Sequence, residues 1–63
     1  MEDPIMQFFA FDHLPENLRQ VSQPFCELAT LTAILLPDNA ERAAALRKLL
    51  EAKDCAVRAV LSK

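Results

Sequence analysis

Apolar positions recur at Leu18, Val21, Phe25, Leu28, Thr32 and Leu35, in steps of 3, 4, 3, 4 and 3. That spacing predicts the seam of an amphipathic helix, and Leu31, Ile34 and Leu36 widen the stripe toward its end. Pro24 falls inside the run. It removes one backbone hydrogen bond, so the helix either kinks there or restarts with Ser22 as a cap; the continuous, kinked form is the expectation. Leu14-Pro15-Glu16 opens this helix, with Glu16 placed to complement the positive end of the dipole.

Pro37 ends the first helix, and Asp38-Asn39-Ala40-Glu41 has the form of a capping box: an acceptor followed three residues later by Glu. A second helix is expected from about Asn39 to Leu61, with Leu46, Leu49, Leu50, Ala56, Val57, Val60 and Leu61 as its apolar set. Asp54 and Arg58 stand four apart in the favourable orientation for an ion pair. Ahead of both helices, residues 1–13 form a leader carrying Phe8, Phe9 and Phe11. The alternation of Phe9 and Phe11 suits an extended segment laid across the helices. Asp12 or His13 is the expected cap of the helix that begins near Pro15.

The fold class is therefore all-α: a leader over residues 1–13 and a helical hairpin over residues 14–63, one domain in total. A chain of 63 residues buries a modest share of its surface, about 60% at this size. Two helices with stripes this broad leave apolar surface over, which predicts self-association into an oligomeric helical bundle. The sequence contains no Gly. Tight hairpin turns and phosphate-cradling glycine loops are thereby disfavoured.

Charge narrows the partners. The net charge is −2, with seven Lys and Arg against nine Asp and Glu. Duplex nucleic acid, which selects a basic footprint, is not expected. Residues 1–36 hold five acids and one base, whereas residues 37–63 hold six bases and four acids. The second half can thus receive a small anion. The longest charge-free run, Leu28 to Pro37, is too short to span a bilayer. Met1-Glu2-Asp3 lacks the basic start of a secretory signal, so a cytoplasmic protein with Cys26 and Cys55 as free thiols is expected.

Catalytic patterns are sparse. His13 is the one histidine. Ser22 or Cys26 can meet it only through folding, and nothing in the spacing calls for that. One His and two scattered Cys do not form a zinc set. No enzyme, metal or cofactor is expected. What stands out is a basic helix face, with Arg47, Glu51, Asp54 and Arg58 in line, beside an aromatic leader. Guanidinium groups suit phosphates bidentately, and Phe9, Phe11 and His13 suit stacking on a base. On spacing alone, a solvated face with intrahelical pairs is the favoured explanation of these charges.

The stretch Pro37-Asp38-Asn39-Ala40-Glu41-Arg42-Ala43-Ala44-Ala45-Leu46-Arg47-Lys48-Leu49-Leu50-Glu51-Ala52 resembles the hairpin signature of the phage anti-CBASS and Thoeris anti-defence family. Phe11-Asp12-His13-Leu14-Pro15 is similar to that family's aromatic–His–Pro stretch before its first helix. The likeness spans roughly residues 9–62. It implies a small phage protein that assembles, often as a hexamer, and sequesters cyclic oligonucleotide immune signals between protomers without cleaving them. On this resemblance Phe11 stands where a Tyr is usual and would stack on a base. His13 and Pro15 match the leader's His and Pro, and Lys48 matches a last-helix Lys that could pair with phosphate. Arg19, Arg47 and Arg58 join the candidate ligand-binding residues on charge alone. The sequence departs from the pattern by lacking the Tyr hydroxyl and by carrying Cys55-Ala56-Val57-Arg58 in place of Trp-Ala-Asn-Ala.

Two functions follow. One is non-enzymatic sequestration of a cyclic di- or trinucleotide by a homo-oligomer, in a host cytoplasm. The alternative is a small helical protein–protein interaction module with no nucleotide ligand.

Overall fold

A computed structural model describes residues 4–62. Its elements are a 3-10 helix over Pro4–Phe9, then α1 over Glu16–Leu35 and α2 over Ala40–Leu61. No strand occurs among the described residues. The radius of gyration is 12.0 Å and the principal extents are 37 × 18 × 16 Å. A globule of this length would have a radius of about 10.6 Å, so the chain is a short rod, set by the length of its helix pair.

The helices form where the sequence places them, with small shifts at their ends. Pro24 lies inside one continuous α1. Pro15 is the N-cap of α1, at φ −59° and ψ 159°, and no side chain caps this end. Asp12 and His13 therefore do not perform the capping expected of them. The backbone serves instead: the Pro15 carbonyl accepts from the amides of Leu18 at 3.1 Å and Arg19 at 2.8 Å. Glu16 still occupies the first turn, where its charge meets the helix dipole.

α1 stops because Pro37 forces the residue before it out of the helical region. Leu36 is extended, at φ −101° and ψ 144°, and its amide still donates to the Thr32 carbonyl. No described residue has positive φ, so both helix ends are made without the left-handed cap that Gly usually supplies.

The expected capping box is displaced by one residue. Asn39, not Asp38, is the N-cap of α2, and its Oδ1 accepts from the Arg42 amide at 2.9 Å. Position N3 is then Arg42, which cannot return a hydrogen bond to the cap as Glu41 would. Asp38 instead accepts from the Arg42 guanidinium at 3.2 Å. The Asp54–Arg58 pair does not form either: Asp54 pairs with Lys53 at 3.2 Å. Arg58 donates to Cys55 Sγ at 3.4 Å. Cys26 and Cys55 are both free thiols.

The leader is laid across both helices, but it is not extended. It coils as a 3-10 turn because its apolar residues Ile5, Met6 and Phe9 repeat every three to four positions, which a helical turn brings to one side. Phe9 is fully buried between the helices, and Ile5 and Met6 pack beside it. Residues 1–3 of the leader lie outside the described residues.

The core is narrow. Phe9, Ala29 and Leu46 are its fully buried apolar residues among those described, flanked by Phe25, Cys26, Leu49 and Leu50. The expected seam of α1 holds in part: Leu18, Val21, Phe25 and Thr32 are half-buried, whereas Leu28 and Leu35 are exposed. Small residues, Ser22 and Ala29, are buried, while Leu28, Leu31, Ile34 and Leu35 face outward. Ile34 is 73% exposed and Leu35 is 68% exposed. The reason is steric. Phe9, Ala29 and Leu46 share one buried cluster, and the small Ala29 side chain leaves space in it for the Phe9 ring.

Candidate cation–hydroxyl cleft

Ser22 and Ala29 are seven residues apart on α1, and Leu46 and Lys53 are seven apart on α2. A seven-residue step returns to the same face of a helix. Ala29 and Leu46 form one layer of the contact, within the core. Moving one step toward the open end of the hairpin replaces this apolar layer with Ser22 and Lys53, which line a shared cleft. Lys53 therefore stands where an apolar residue would continue the α2 seam, and its side chain is 15% exposed. Its ammonium pairs with Asp54 at 3.2 Å, and both residues line the cleft.

The cleft has a volume of about 340 Å³ and opens to solvent. The leader supplies Phe8 and the following loop supplies His13; α1 supplies Ser22; α2 supplies Lys53, Asp54 and Arg58. Ser22 is 1% exposed. Its Oγ has no hydrogen-bond partner. A buried unmet hydroxyl costs about 1–3 kcal/mol, so this position is expensive to leave as Ser unless something else contacts it. Asp54 is held by Lys53. Arg58 has no carboxylate partner among the described residues; its guanidinium donates to Cys55 Sγ at 3.4 Å.

Of the seven candidate ligand-binding residues, the fold brings two together here, His13 and Arg58. Phe11 is half-buried and does not line the cleft. Pro15 caps α1. Arg19 is engaged by Glu16 within the first turns of α1, with Gln20 bonded to the same carboxylate at 3.1 Å. These contacts hold the Glu16 carboxyl below its usual range, the Arg19 hydrogen bond being the largest cause. Arg47 and Lys48 are exposed and have no ion-pair partner among the described residues. Phe9 is lost as a stacking surface because it is core; Phe8, 56% exposed and on the cleft wall, is the aromatic available instead.

Spacing alone does not single out Ser22 and Lys53; they become unusual once the contact face is known. Each sits on the contact face at a heptad step from a small or large apolar residue, and a polar residue there is the signal. Folding does bring Ser22 to the same cleft as His13 and Asp54, the three residue types of a hydrolytic triad. The relay that chemistry requires is missing, since Ser22 Oγ bonds to no base and Asp54 is turned to Lys53. No group of three or more His, Cys, Asp or Glu able to hold a metal occurs among the described residues. No helix among them is long and apolar enough to cross a membrane. Comparison with family models, with curated proteins and with solved structures gave no match to this chain.

Proposed function

We propose that this chain sequesters a cyclic di- or trinucleotide without cleaving it, in sites completed by a second copy of itself. The observation that carries the reading is the convergence of His13 and Arg58, from opposite ends of the chain, in one cleft beneath an exposed Phe8. An aromatic face, an imidazole and a guanidinium without a carboxylate partner are groups that suit a base and a phosphodiester. Exposed Arg47 and Lys48 add cations on α2 that a neighbouring copy can bring toward the same ligand. The outward leucines of α1 supply the apolar surface for that copy. Binding without cleavage fits a cleft whose hydroxyl has no base bonded to it.

The test is retention and recovery. The protein is incubated with cyclic di- and trinucleotides, separated from free ligand by filtration, and heat-denatured. Intact cyclic nucleotide in the released fraction supports the reading. Either no retained ligand or a linear product overturns it.

A second reading has its own observation. Leu28, Leu31, Ile34 and Leu35 form an apolar face on α1, and such a face also suits docking on a different protein. Under that reading the purified chain stays monomeric alone, and replacing Leu31 and Ile34 by Ser abolishes capture of the partner.

A further inference from the structure

The nucleotide reading uses the cleft as one wall of a larger site. The cleft has a feature that reading does not use: the Ser22–Lys53 layer. Ser22 Oγ is buried, without a partner, and lines the cavity. Lys53 occupies the seam position of α2 opposite it, and Arg58 stands five residues further along the same helix. Two cations and one neutral hydroxyl donor thus meet, from two helices, around a space open to solvent. The opposing charge is Asp54, already held by Lys53 at 3.2 Å. From the leader side, the groups facing the same space are Gln7 and His13.

We propose that this cleft is a phosphate-ester site complete within one chain. Ser22 Oγ donates to one phosphate oxygen. The Lys53 ammonium and the Arg58 guanidinium take the others. Donors arriving from separate helices match a tetrahedral anion with several accepting oxygens better than a planar carboxylate with two. A volume of about 340 Å³ lies in the range of small-molecule sites, roughly 300–1,000 Å³, and exceeds what a bare phosphate fills. The remainder is bordered by Phe8, Leu14 and Val57, so the organic part of the ester is apolar or aromatic. The site requires no second copy and no cyclic ligand, and therefore goes beyond the reading above.

The probe is phenyl phosphate, titrated into the isotope-labelled full chain and followed by amide NMR shifts, with inorganic phosphate and benzoate as comparison ligands. Saturable shifts at Ser22, Lys53 and Arg58 are expected, with phenyl phosphate at least tenfold tighter than benzoate. Inorganic phosphate should compete for the same resonances. Ser22→Ala and Lys53→Met, each retaining the helical spectrum and cooperative melt of the parent, should weaken phenyl phosphate at least tenfold. Gln23→Ala, on the exposed side of α1, should leave it unchanged. Absence of saturable shifts at these residues overturns the proposal, as does a folded Ser22→Ala chain that binds phenyl phosphate as well as the parent. Phenyl phosphate binding without retention of any cyclic nucleotide sustains this site and removes the sequestration reading. Cyclic nucleotide retention with no phenyl phosphate binding does the reverse.

Discussion

Ser22 of α1 and Lys53 of α2 line one cleft, a heptad step from the fully buried Ala29 and Leu46. An apolar contact layer is followed directly by a polar one. Under the proposed phosphate site, stability and binding are set against each other at successive layers of the same two helices.

Ser22→Ala tests that opposition. Removing a buried hydroxyl with no partner relieves a desolvation cost without opening a large void. The variant is expected to be more stable than the parent by about 1 kcal/mol, read from the midpoint of urea unfolding at constant slope. A loss of similar size would show that the hydroxyl is bonded within the folded chain.

Leu46→Asp should abolish folding. Leu46 is fully buried beside Phe9 and Ala29, and an unpaired carboxylate there has no compensating group. Leu50→Asp should have the same result, since Leu50 packs against that core. The milder Leu46→Ala should cost about 2–5 kcal/mol. Far-UV circular dichroism during thermal unfolding checks all three, and a cooperative helical melt for Leu46→Asp would show that the core lies elsewhere.

Asn39→Ala should destabilise the chain by about 1 kcal/mol, because its side chain caps the Arg42 amide. Asp38→Ala should cost less, since Asp38 holds only a surface pair with Arg42. The reverse order, read by denaturant titration, would place the cap at Asp38.

Glu16 gives a pH signature. Its folded carboxyl titrates below the ordinary glutamate range, the Arg19 hydrogen bond being the largest cause. A lowered acid contributes stability that is present above the unfolded value and is lost as pH falls through the lower, folded one. The first turn of α1 should thus weaken below the ordinary glutamate value, about 4.3. A carboxyl-detected NMR titration should show Glu16 midpoint below that value, and Arg19→Gln should raise it. An unchanged midpoint in Arg19→Gln would contradict the pairing.

Much of this fold is legible in the sequence. Pro15, Pro37 and the Ala-rich run after Asn39 bracket two helices within a residue or so of their observed ends. The face each helix buries is less legible. The leucine spacing of α1 predicts a seam through Leu28 and Leu35, yet these are exposed. Phe9 shares the core with Ala29 and Leu46, so α1 meets it through a small residue while Phe25 and Cys26 pack at the side. The extended form expected of the leader fails for a related reason: Phe9 and Phe11 suggest a period of two, while Ile5, Met6 and Phe9 pack with a period near three. The cleft was half visible, through His13 and Arg58. Ser22 and Lys53 were not, because their meaning depends on the seam register that Phe9 sets.

The sequestration reading also predicts that Arg47→Ala and Lys48→Ala retain the fold. Both side chains are exposed on α2, so the unfolding free energy should stay within about 0.5 kcal/mol of the parent. Retention of cyclic nucleotide in the filtration assay should fall for each. Full retention in both variants would exclude α2's exposed cations from the site.

The central claim is most directly tested by measuring molecular mass and melting temperature on one sample, with and without a panel of cyclic di- and trinucleotides. A ligand that binds only the native state raises stability by RT ln(1 + [L]/Kd), about 2.7 kcal/mol at a hundredfold excess over Kd. The account predicts a closed oligomer whose melting temperature rises with at least one member of the panel. A monomer whose melting temperature no member of the panel shifts would contradict it.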